Sequence, residues 1–155
     1  MTGYWLGVVS RDHVRRGVEL GIAQANHGKR AAAERMRPGD GLVYYSPRTG
    51  MRAGAPVRAF TALGVIDDVP AWQADDPTGC FRPWRRSVTY RPVEQVGIDT
   101  LREVLDLTAA PNWGMVLRRG LIPLTAHDFA LIEAAMTGEF AAVRAARGPR
   151  ATVAG

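Results

Sequence analysis

Cysteine is nearly missing from this chain: Cys80 is its one representative in 155 residues. A single thiol excludes an internal disulfide and any CxxC zinc site. Lysine is equally scarce. Of 20 basic residues, only Lys29 is not arginine, and with the abundant alanine this bias reflects a GC-rich coding sequence as much as any function. Aromatic residues are few, with four each of Trp, Tyr and Phe. Each is worth locating, because aromatics carry large burial energies or contact surfaces. No run of eighteen apolar residues occurs, so no segment reads as a membrane helix. The opening MTGYWLGVVSRDH has no basic stretch and soon meets charge, unlike a signal peptide. A soluble, cytoplasmic protein is expected. His13, His27 and His127 are scattered without metal-ligand spacing, and no GxSxG elbow is present. No metal and no cofactor are expected.

What the chain does have is enough apolar sequence, 46%, to bury one core in one domain. Its net charge is +5 and its pI about 10.1, a balance that favours an anionic partner such as nucleic acid. Part of that excess is local. Arg144, Arg147 and Arg150 against Glu139 place +2 of it in residues 137–155, leaving a modest +3 on the rest.

Tyr4–Val9 is a continuous apolar run and reads as a buried strand. Ser10 then caps a short helix over Arg11–Val18. Gly28–Arg37 is rich in helix formers and stops at Pro38-Gly39. Further strands are expected over Gly41–Ser46, Val57–Ile66 and Trp84–Arg91. The turn-rich, basic stretch Ser46–Ala55 reads as an exposed loop. A short helix is expected over Asp99–Leu107, and a strand or short helix within Asn112–Leu124. Thr125–Met136 is the clearest helix. Thr125 and Asp128 have capping-box spacing, and Phe129, Ile132 and Met136 form an apolar stripe. Residues 137–155, mostly Ala, Gly and Arg, read as a flexible tail. Strands do not alternate with long helices, so a doubly wound sheet is excluded. A curved α+β arrangement of about five to six mostly antiparallel strands, with short helices at the rim, fits the pattern.

The motifs occur in a telling order: DHV after the first strand and its serine, then GIAQANHGK, MRPGD, YYSP, PWRR and NWG. In this the chain resembles the bacterial EVE-domain family over about residues 3–136. That family is similar to the PUA and YTH folds. The resemblance implies a PUA-like pseudo-barrel with a pocket for one base, reading a modified base in DNA or RNA. Asn26 departs from the family pattern, where cysteine is more usual, and it sits beside the implied pocket.

A reader of one base needs an apolar slot for the ring face, polar groups on the base edge and a basic rim for phosphates. Candidates for the slot are Tyr44, Tyr45, Trp84 and Trp113. Tyr44 and Tyr45 are neighbours on one strand and face opposite ways. Candidates for the base edge are Ser10, Gln24, Asn26, His27 and Ser46. The rim draws on Arg15, Arg16, Lys29, Arg30, Arg48, Arg52, Arg85 and Arg86. Each has a plainer reading beside it: aromatics form cores, Ser10 caps a helix, loop amides satisfy backbone, and scattered Arg is solvated surface. The leading expectation is a non-catalytic module for a modified base, such as methylated or hydroxymethylated cytosine, with no membrane and no obligate protein partner. One alternative is an RNA-binding module of RNA metabolism without modified-base specificity. A weaker one is a small hydrolase built on Ser10, Asp12 and His13, or on Cys80 with His27.

Overall fold

The computed structural model describes residues 2–50, 52–75 and 78–139. Strand β1 (Tyr4–Val8) is the first apolar run. Helix α1 (Arg11–Leu20) follows an extended Ser10, whose carbonyl accepts the Val14 N–H at 3.0 Å although its hydroxyl makes no capping bond. The helix runs beyond Val18 and stops at Gly21, where a left-handed φ of 67° turns the N–H back onto the carbonyls of Gly17 and Val18. Strand β2 (Ile22–Ala23), a 3-10 turn over Asn26–Gly28 and helix α2 (Arg30–Arg35) come next. This helix is shorter than expected at its start, because Asn26, His27 and Gly28 adopt φ of 49°, 58° and 75°. An α-helix of L-residues cannot include such a run.

Strands β3 (Gly41–Arg48) and β4 (Pro56–Ile66) form a long hairpin, and β3 continues past Ser46 into the segment expected as loop. Strands β5 (Trp72–Gln73), β6 (Trp84–Tyr90) and β7 (Val96–Gly97) lead to α3 (Ile98–Leu101). The helix expected over Asp99–Leu107 is only one turn. Beyond it the Asp128 carboxylate accepts the backbone N–H groups of Asp106 and Leu107 at 2.7 and 2.8 Å, donors that a longer helix would use internally. Helix α4 (Trp113–Val116), a 3-10 turn (Leu117–Arg119), β8 (Leu121–Pro123) and α5 (Ala126–Met136) complete the described elements. Thr125 caps α5 by accepting the Asp128 N–H at 3.1 Å, and Phe129, Ile132 and Met136 are buried, as their spacing predicts. Most of the segment read as a tail, residues 140–155, lies outside the described residues.

The eight strands form one curled sheet in the order β2-β6-β4-β3-β1-β8, with β5 on β6 and β7 on β4. Among the described residues only the β1–β3 pair is parallel. A bulge between Tyr44 and Tyr45 bends the hairpin. Each face of the sheet has its own core. Leu6, Val43, Tyr45, Phe60 and Leu63 pack with α3 and α5 on one side. Leu42, Tyr44, Ala62, Ile66 and Val88 pack with α1 and α2 on the other.

Gly7 is where β1 meets Tyr44 across the parallel pair, and a Cβ there would lie 2.6 Å from the Tyr44 ring. Gly7→Ala is therefore expected to destabilise by roughly 1–3 kcal/mol, measured by urea unfolding. Combined with Tyr44→Leu, much of that loss should be recovered. Strict additivity would show that the contact is not the cause.

Candidate functional site

Tyr44 is the floor of a cleft of about 300 Å³ at the seam between α1, β2 and β6. His13, Arg16, Gly17 and Leu20 line it from α1, Ile22 and Gln24 from β2 and the residue just after it, and Phe81 and Arg85 from the entry to β6. The seam exists because β2 is only two residues long. It pairs with β6 through Ile22–Ser87 and Ala23–Arg86, and the Tyr90 hydroxyl donates to the Ile22 carbonyl at 2.7 Å.

The polar groups of the cleft are partly committed to one another. Arg85 Nε donates to Gln24 Oε1 at 3.1 Å. This fixes the carboxamide and leaves its NH₂ without a partner among the described residues. Burial pushes the Tyr44 hydroxyl up to about 12, while the Gln24 backbone and a side-chain hydrogen bond with Tyr90 pull the other way. Tyr44 is therefore neutral at physiological pH. The His13 imidazole is held below its usual value of 6.5, first by partial desolvation, then by the Arg16 charge, and more weakly by Arg85 and His27. Its hydrogen bond with the Gln24 backbone opposes this. His13 is thus neutral at pH 7 and keeps one ring nitrogen as an acceptor. Leu20 and Phe81 remain 61% and 52% exposed, so the cleft mouth has apolar lips.

Of the base and phosphate candidates singled out in the sequence, Gln24, Tyr44, Arg16 and Arg85 meet at this cleft, together with His13 of the hydrolase alternative. The other base and phosphate candidates do not line it. Tyr45 faces the opposite core, against Phe60 at 5.9 Å between ring centres. Ser46 is fully buried and shares a 2.8 Å hydrogen bond with Thr61. Trp84 is covered by the Arg30 guanidinium at 4.9 Å, and Arg30 also pairs with Glu34 at 2.7 Å. Trp113 packs beside the α3–α5 core under Arg102. The Asn26 carboxamide lies against Gly120, where a Cβ would come within 2.0 Å of its oxygen, and the Gly120 carbonyl accepts the Val8 N–H beside Ser10. His27, Arg15, Lys29, Arg48 and Arg52 are exposed. The hairpin loop carrying Arg48 and Arg52 folds onto the start of α1, where Asp12 N–H donates to the Thr49 carbonyl at 3.0 Å.

Sequence reasoning missed Leu20, Ile22 and Phe81 and weighed His13 only as a catalytic base. An apolar residue on a polar helix (Leu20) or in a turn-rich segment (Phe81) was the available signal. Among the described residues no hydrogen bond joins Ser10, Asp12 and His13, and none joins Cys80 to His27. Asp106, His127 and Asp128 bring three possible ligand atoms within 4.8 Å of one another. Their atoms already serve the chain: Asp128 holds two backbone N–H groups, Asp106 Oδ2 accepts the Thr125 hydroxyl at 3.0 Å, and His127 Nε2 sits 3.1 Å from the Val104 carbonyl.

A larger groove of about 540 Å³ is lined by Gly3, Trp5, Glu34, Arg35, Arg37 and Asp40, among others. Its polar centre is already satisfied. Buried Asp40 accepts the N–H groups of Gly3, Arg37 and the Trp5 indole at 2.8–2.9 Å, and Arg35 covers the Trp5 ring at 4.9 Å. The smaller cleft, with an open amide and a neutral imidazole, has more to offer a ligand. Arg16→Ala should raise the His13 titration midpoint in an NMR pH series, since it removes the largest charge acting on the ring. An unchanged midpoint would separate Arg16 from the cleft.

The EVE-domain model matches residues 3–135. A UPF0310 protein of Renibacterium salmoninarum is 53% identical over 137 residues, covering 88% of this chain and 97% of the relative. Among solved structures, a Pseudomonas syringae protein has 21% identity and a TM-score of 0.52, covering 85% of this chain and 98% of that one. The N-terminal domain of Staphylothermus marinus McrB has 13% identity and a TM-score of 0.50, covering 84% and 93%. No helix among the described residues is long and apolar enough to cross a membrane. The fold is the mixed α+β arrangement expected, its sheet curled into a half-barrel with short helices against it, and the chain belongs to the EVE-domain family.

Proposed function

We propose that this protein is a non-catalytic reader of a modified base in DNA or RNA, and that the base enters the cleft over Tyr44. The observation that carries this reading is the meeting of Gln24, His13, Tyr44, Arg85 and Phe81 around one space of about 300 Å³. That volume stands at the lower end for small-ligand sites, suited to one planar ring. Leu20, Ile22 and Phe81 supply apolar surface for the ring and for an added methyl group. The Gln24 NH₂ is a donor and the neutral His13 an acceptor, the pair of functions that a base edge requires. Arg16 and Arg85 supply positive charge beside the cleft for the backbone. Residues 3–136 would carry the whole activity.

The reading is tested with oligonucleotides carrying 5-methylcytosine, 5-hydroxymethylcytosine or unmodified cytosine, across a salt series. A preference for a modified base is expected, together with affinity that falls as salt rises. Gln24→Ala should reduce the preference about tenfold while sparing most of the unmodified affinity, the scale of one lost hydrogen bond to an otherwise unsatisfied group. Equal losses for all oligonucleotides would leave a general nucleic-acid binder. No binding at all would remove the reading. Acid should also weaken the preference. His13 has a lowered value in the folded protein, so the neutral form is kept above pH 6.5 and lost as pH falls through that lowered value. His13→Gln is expected to flatten this dependence.

A further inference from the structure

Strand β6 carries two adjacent arginines, and alternation sends them to opposite faces. Arg85 enters the cleft. Arg86 is paired across the ladder with Ala23, which is buried in the α1–α2 core layer, so its side chain lies on that face, two residues from buried Val88. Arg86 is only 5% exposed. Its Nε and Nη2 are sealed from solvent and have no hydrogen-bond partner, and it joins no ion pair among the described residues.

This is an expensive arrangement. A buried charge without an acceptor is among the least favourable states a side chain can adopt. Lysine or histidine would escape it by losing a proton, but a guanidinium does not deprotonate in a protein. Nε and Nη2 also form one of the two edges of the guanidinium that present paired N–H groups, an edge that takes two oxygens of a single oxyanion. The side chain is therefore unsatisfied along a whole two-pronged edge. Among the described residues no acid pairs with it: α2, which packs on β6, is preceded by exposed Lys29 and begins with exposed Arg30, and its one acid, Glu34, is held by Arg30 at 2.7 Å.

We infer that Arg86 is a reserved anion-binding residue, whose Nε–Nη2 edge takes two oxygens of a backbone phosphate when nucleic acid binds. The occupant rests on the function proposed above, but Arg86 is not among the residues that line the base cleft. Rotation of the end of the side chain would bring the edge to the surface. Free in solution, the residue should cost the fold stability that the bound anion returns.

The test compares the full chain with Arg86→Met and Arg86→Lys by thermal melting at matched ionic strength, in chloride and in inorganic phosphate, and by binding of an unmodified oligonucleotide. In chloride, Arg86→Met should melt above the wild type, because an unpaired buried charge is gone. Phosphate should raise the melting point of the wild type more than that of Arg86→Met, which keeps only the general stabilisation that phosphate gives any fold. Arg86→Lys keeps the charge but loses the two-pronged edge, and its phosphate response should fall close to that general level. For the oligonucleotide, Arg86→Met should lose affinity on the order of tenfold, with the slope of log K against log salt reduced by about one. The ratio between modified and unmodified bases should not change, which distinguishes failure of this site from failure of the cleft. A lower melting point for Arg86→Met with an undiminished phosphate response would overturn the inference, as would a full response in Arg86→Lys. A phosphate response in the wild type with no change in oligonucleotide affinity or slope would mean an adventitious ion only, and would overturn it as well.

Discussion

The Tyr90 hydroxyl, 2.7 Å from the Ile22 carbonyl, holds the cleft wall in place. Strand β2 has two residues and could not persist alone. It is pinned by pairing with β6 and by this hydroxyl, which lies close under α1, where a Cβ on Gly17 would sit 3.0 Å from the Ile22 carbonyl oxygen. The residue that follows this short strand, Gln24, faces the cleft. Tyr44 rises from the next layer because Gly7 leaves room for its ring. Helix, strand and tyrosine pair thus define one space, and none of them defines it alone.

The electrostatics of that space follow from its construction. Arg16 and Arg85 bring two fixed positive charges to the wall, and partial burial first, then these charges, keep His13 neutral. Arg85 is restrained by Gln24 rather than by a carboxylate, so its charge remains uncompensated among the described residues. On the far face of the same strand Arg86 Nε and Nη2 are buried with no acceptor among the described residues, an arrangement that costs the free protein stability.

Much of the fold was legible because its main strands are long. Tyr4–Val8, Gly41–Arg48, Pro56–Ile66 and Trp84–Tyr90 carry apolar runs or alternation of the right length. The two-residue strands β2, β5 and β7 have no period to detect and exist only through their partners. Helix ends were missed where side chains seized backbone groups, as Asp128 does at 106–107. At the site, Gln24, Tyr44 and Arg85 could be chosen by chemical type. Leu20 and Phe81 could not, since their exposure at the cleft mouth is set by the packing of α1 against the entry to β6. Asn26 lay in the right motif, yet its side chain goes to Gly120, a contact that no local pattern announces.

Whether one base occupies the space above Tyr44 is decided by a crystal structure with a short oligonucleotide carrying 5-methylcytosine. The ring is expected in van der Waals contact with Phe81, its edge within hydrogen-bonding distance of the Gln24 amide and the His13 imidazole. A complex with the base seated in the groove beside Trp5, or with every base outside the cleft, would contradict this placement.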